Sequence, residues 1–126
     1  MNYRLGNRCL SIARTLIPTI RQMRCSHVAF LIKKSKIMHI GWNKVKSHPI
    51  TLNFSYKSYS HLHAEADVII KSGNEFLNDF ELLVVRFDKN GKLVNSKPCK
   101  GCQSLIQQVG LNRVWYSIDS GIIQFI

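Results

Sequence analysis

Four side chains in two short segments could do chemistry together. They are His63 and Glu65 in His63-Ala64-Glu65, and Cys99 and Cys102 in Pro98-Cys99-Lys100-Gly101-Cys102. An imidazole and two thiolates are donors that zinc prefers, and three protein ligands leave one tetrahedral position open for water. An open position suits catalysis. Glu65, two residues after His63, is placed to move protons beside it. A closed structural site, with Glu65 or His61 as fourth ligand, is the alternative. Either segment alone is a weak signal. In this order, with Pro98 directly before the first Cys, the pair is a strong one.

These residues need elements to hold them. Glu65–Ser72 reads as a helix opening just after His63, with Gly73 and Asn74 to stop it. Cys99 opens a second helical stretch, 99–109, with Pro98 in the permitted place ahead of it. Two helix starts would then converge on one metal, and their positive ends favour thiolate over thiol.

The rest of the chain supplies a sheet. Leu5, Cys9, Ile12, Leu16, Ile20 and Met23 recur in steps of three and four, which predicts a helix over 4–24. Pro18 should end, kink or restart it near Ile17. Strands are expected at 27–32 and 37–40, joined by a turn through Lys33-Lys34-Ser35-Lys36. A long loop follows from Lys44 to Leu62. It carries Phe54, Tyr56 and Tyr59 among Lys46, His48 and Lys57, a mixture suited to stacking on a base while holding a phosphate. The run Leu82–Phe87 reads as a central strand, and Asp88-Lys89-Asn90-Gly91 as a turn. Leu93 and Val94 return briefly. A further strand covers 113–117, and Ile122–Ile126 is a possible last one. Only a tight turn fits between these two, whereas a parallel connection needs a dozen residues or more. The last strand is therefore expected to pair antiparallel. The order of elements is an α/β layout.

At 126 residues the chain is expected to form one domain, with residues 1–25 as an N-terminal helix region and 26–126 as the catalytic core. No run approaches the roughly 18 apolar residues of a membrane helix. The four Cys are Cys9, Cys25, Cys99 and Cys102, no secreted disulfide framework. A cytoplasmic location is the default; the Arg-rich, acid-free start could alternatively be an organelle targeting segment. Charge is uneven. Eleven basic residues precede Glu65, the first acid, and from there on each sign occurs seven times. The net charge of +11 thus sits in the first half. It would draw anions such as nucleotides, single-stranded nucleic acid or tRNA, or merely aid solubility.

On these residues the chain resembles the cytidine deaminase-like superfamily, whose zinc nucleobase deaminases carry H-x-E followed by P-C-x-x-C. The resemblance runs from about His27 to Ser117. It is nearest to the deoxycytidylate and tRNA adenosine deaminases, which have His as first ligand and Gly-aromatic-Asn after the second strand, here Gly41-Trp42-Asn43. Small phage deaminase-like proteins share Ser-x-Pro-Cys-x-Gly-Cys-Gln, here Ser96–Gln103. There are departures. Asp67 stands where deoxycytidylate deaminases usually have Asn, no Cys lies between Cys25 and Cys99 for their extra zinc, and only nine residues follow Ser117.

The resemblance implies a three-layer α/β/α fold with a mixed sheet of four to five strands. It implies Zn2+ on His63, Cys99 and Cys102, with Glu65 as the catalytic acid and base. Asn43, Ala64, His61 and Pro98 would contact substrate, and the protein would be a homo-oligomer. The substrate expected is cytosine in a free nucleotide or nucleoside, with cytosine or adenine in single-stranded nucleic acid or tRNA as the alternative. A non-catalytic zinc-stabilised binding module is the alternative of another class.

Overall fold

In the computed structural model the described residues are 1–20, 26–44 and 62–125. Helix α1 spans Tyr3–Ile20. Strands β1 (Ser26–Lys33) and β2 (Lys36–Trp42) form a hairpin, and helix α2 (Ala64–Ser72) follows. Then come β3 (Glu81–Phe87), the short β4 (Leu93–Val94), α3 (Lys100–Gln108), β5 (Arg113–Ile118) and β6 (Gly121–Gln124). The expected loop aromatics Phe54, Tyr56 and Tyr59, with His61, Cys25 and Met23, lie outside the described residues.

The sheet runs β2-β1-β3-β5-β6, with β4 paired to β3. It is mixed: β3 is antiparallel to β1 and parallel to β5. The six strands exceed the four to five expected because Leu93 and Val94 pair with Phe87 and Arg86 beyond the Asp88–Gly91 turn. β6 is antiparallel to β5, as the tight turn required.

The apolar run of β3 is continuous because both of its faces are covered. Leu83, Val85 and Phe87 pack with Leu5, Cys9, Ala13 and Ile20 of α1. Leu82 and Val84 pack with Val68 and Ile69 of α2 and Leu105 and Ile106 of α3. One helix on one side and two on the other make three layers, α/β/α. α1 continues through Pro18 to Ile20. So close to that end, the missing N–H costs the helix little beyond one bond of its last turn. No helix among the described residues is long and apolar enough to cross a membrane.

The seat of α2 depends on Gly41. A Cβ there would stand 2.5 Å from the backbone nitrogen of Val68 and 2.8 Å from its Cβ. The helix therefore lies directly on the backbone of β2. Gly41→Ala must push α2 off the sheet, and overpacking of this kind costs about 1–3 kcal/mol. We expect a loss near the top of that range in urea unfolding, since backbone is what must move.

Candidate metal and catalytic site

His63 and Cys99 occupy the N-cap positions of α2 and α3, both with extended backbone. The parallel pairing of β3 with β5 sets these two helix starts side by side at one end of the sheet. The ligand atoms of His63, Cys99 and Cys102 all lie within 4.8 Å of one another. His63 Nδ1 is 3.6 Å from Cys99 Sγ and 3.4 Å from Cys102 Sγ. A tetrahedral zinc with ordinary Zn–N and Zn–S bonds sets such an N···S edge at about 3.6 Å. The donor set and its spacing thus fit the metal, and among the described residues this group supplies three of the four tetrahedral positions.

The electrostatics of Cys99 agree with a metal-ligating thiolate. Hydrogen bonding from the Cys102 thiol, then from His63 and the Cys102 amide, holds the Cys99 thiol down at about 4 against the effect of burial. The amide contact, 3.5 Å from Cys102 N to Cys99 Sγ, is also the cap of α3. His63 is raised, chiefly by its hydrogen bond to Cys99. Glu65 is only 4 % exposed. Burial raises its carboxyl above the usual range, although a backbone hydrogen bond, the charge of His63 and Cys102 partly offset this.

Local polar contacts fix the two segments. Gln103 Nε2 donates to the Pro98 carbonyl at 2.7 Å. Ser96, buried, donates to the Val84 carbonyl and accepts from Ser117 N, both at 2.7 Å. The Ser117 hydroxyl lies 2.9 Å from that of Ser96 and accepts from Arg86 N at 3.1 Å. The residues leading into Cys99 are thereby tied to β3 and β5. On the other side Asp67 accepts from Trp42 N at 3.0 Å and pairs with Lys44 at 3.1 Å and Lys71 at 3.2 Å. Both ammonium groups also lie against the Trp42 ring, at 4.6 and 3.9 Å from its centroid. Asp67 thus fastens the end of β2 to α2.

Of the residues expected to touch substrate, Asn43 stands at the end of β2, buried. Its Oδ1 accepts from His27 N at 2.8 Å, so its carboxamide oxygen holds the β1–β2 ladder. Ala64 is fully buried in the core beneath the helix start. Pro98 is buried beside Cys99. His61 lies outside the described residues.

Sequence reasoning missed His27. It is half-buried at the start of β1, opposite Arg86. Burial, then the charges of Arg86 and His63, push it down to about 4, with Cys99 opposing. Nothing in a strand pattern marks such a histidine; only the pairing of β1 with β3 brings it to the site. In the unfolded chain it titrates near 6.5, so the unfolded state binds more protons between about 4 and 6.5. Its effect on stability is therefore absent above pH 6.5 and destabilising as pH falls towards 4, up to about 3 kcal/mol. Urea unfolding at pH 4.5 and 7.5 should show that step in the wild type, and His27→Gln should flatten it.

No protein-family profile matches the sequence, and no curated protein is similar to it. Solved structures do match. The dCMP deaminase from the cyanophage S-TIM5, in complex with dCMP and dUMP, superposes with a TM-score of 0.61 at 20% identity, covering 92% of this chain and 82% of that one. The cytidine deaminase from Burkholderia pseudomallei gives 0.61 at 16%, covering 99% and 92%. That from Mycobacterium leprae gives 0.51 at 19%, covering 98% and 93%. With its six-stranded mixed sheet between one helix and two, the chain has the cytidine deaminase fold.

Proposed function

We propose that the protein is a zinc-dependent hydrolytic deaminase of an amino-substituted nucleobase, with cytosine in a free nucleotide as its substrate. The observation that carries this is the His63–Cys99–Cys102 group at tetrahedral spacing with a buried carboxylate, Glu65, two residues along. Similarity of fold to a dCMP deaminase that binds dCMP and dUMP supports the choice of base and the phosphate.

His63, Cys99 and Cys102 would hold the zinc, which supplies Lewis acidity and activates water near neutral pH. Glu65 takes a proton from the attacking water on a carboxylate oxygen. It gives that proton to the ring nitrogen, then takes the second from the hydroxyl now on the ring carbon and gives it to the departing amine, so that base and water become the oxo-base and ammonia. Burial of Glu65 raises its affinity for the proton it must carry between these atoms. Asn43, whose Oδ1 accepts from His27 N, would meet substrate through its carboxamide. The two helix starts add positive potential around the thiolates.

A second reading, deamination within single-stranded nucleic acid, is favoured by the eleven cations ahead of Glu65. The test is product analysis on cytidine, deoxycytidine, their monophosphates, single-stranded DNA and a tRNA at two salt concentrations. Turnover of dCMP or CMP with weak salt dependence supports the first reading. Turnover of polymer alone, falling steeply with salt, supports the second. Zinc bound without turnover of any of them would make the site structural.

A further inference from the structure

The antiparallel β6 widens the sheet beyond the reach of α3. Between that helix and the strand lies a trough on the α2/α3 face, with a cavity of about 520 Å³. This is within the range of small-molecule sites. His63, Glu65, Cys99 and Cys102 do not line it, yet Pro98, the residue before Cys99, closes one end.

The lining has a distinct chemistry. Three carboxamides border it, from Gln103, Gln107 and Asn112, that of Gln103 already donating to the Pro98 carbonyl, while Gln124 contributes its backbone from a strand position that turns its side chain to the α1 face; no charged side chain takes part. Phe125 supplies an aromatic face. That ring is anchored, since Phe125 N donates to the Val114 carbonyl at 2.8 Å and Tyr116 meets it edge-on with centroids 6.2 Å apart. Lys97 Nζ stands at the rim, 5.6 Å from the centroid of the ring. A carboxamide offers a donor and an acceptor side by side, the pattern on the edge of a nucleobase. An aromatic face stacks on any base. An ammonium at the rim with no carboxylate in the lining tolerates the phosphate that accompanies one.

We propose that this trough is a second nucleobase-binding site, apart from the metal group. Its ligand is a neutral heterocyclic base, either the one flanking the reacting base in a strand or that of a separate nucleotide. The site rests on its own lining and does not require turnover at Glu65.

The probe is 2-aminopurine, whose fluorescence is quenched on stacking. The full-length, zinc-loaded protein would be titrated with 2-aminopurine ribonucleoside monophosphate and with a tetranucleotide carrying 2-aminopurine beside deoxycytidine. Saturable quenching is expected, weakened about tenfold by Phe125→Ala, which removes the stacking face. Gln107→Ala, on the exposed side of α3, is expected to weaken it severalfold without touching the sheet. Binding of the tetranucleotide at least tenfold tighter than the mononucleotide identifies a flanking base. Equal binding identifies a separate nucleotide. The proposal is overturned if neither probe is quenched, if both variants bind like the wild type, or if self-association of the free protein protects 103–107 and 124–125 from hydrogen exchange, because a second copy would then fill the trough.

Discussion

Glu65→Gln is expected to lower turnover about a thousandfold or more while zinc and fold are retained. The two side chains have the same shape, and the position is almost fully buried, so packing is unchanged. What is lost is the ability to accept and return a proton, a contribution of about 10²–10⁴ in rate for a positioned acid–base group. Loss of a buried carboxylate removes a desolvation penalty, so the variant should unfold at the same or higher urea concentration than the wild type. Ammonia release, zinc content and urea unfolding check the three parts. Loss of zinc together with activity would instead make Glu65 a fourth ligand of a closed site. In the wild type the raised carboxyl sets a further sign: on the acid side activity should be lost at a higher pH than an ordinary carboxylate would set, because burial favours the protonated form of Glu65, which cannot take the water proton.

Cys102→Ala should have the largest effect on metal binding. Cys102 is fully buried, its Sγ lies 3.4 Å from His63 Nδ1, and its thiol is the foremost influence holding Cys99 down. Changing the partners around a ligand alone costs 10–100-fold in affinity, so loss of a ligand should exceed about a hundredfold. Zinc that binds only the folded state stabilises it by mass action. The wild type should therefore melt at a higher temperature with zinc than with a chelator, and the variant at one temperature in both. Equal zinc-dependent shifts in the two proteins would place the metal elsewhere.

Much of this architecture is legible in the sequence because local chemistry encodes it. His63 ahead of an apolar-periodic segment and Pro98-Cys99 ahead of another mark two helix starts, and the structure has both. The short Asp119-Ser120-Gly121 turn leaves β6 no choice but to return antiparallel. Other features are long-range and leave no such mark. Gly41 could be quoted from a resemblance, but the contact that forbids a side chain, the backbone of Val68, appears only once α2 lies on β2. Asp67 looked like a departure from a pattern; its carboxylate in fact gathers Trp42, Lys44 and Lys71 into one fastening. The bond that Asn43 Oδ1 accepts from His27 N, beside the substrate role the resemblance implies for Asn43, is likewise unmarked in the sequence. His27 and the Ser96–Ser117 pair meet their partners across strands far apart in sequence, which no single-segment pattern encodes. β4 is only two residues long and becomes a strand through its pairing with β3.

The most direct test of the central claim is ammonia release from dCMP by protein carrying one zinc per chain. The account predicts ammonia and dUMP in equal amounts, abolished by chelation and restored by zinc. Full zinc occupancy with no ammonia from dCMP, or from any other nucleotide, nucleoside or nucleic acid offered to the same preparation, would contradict it and leave the His63–Cys99–Cys102 group a structural centre.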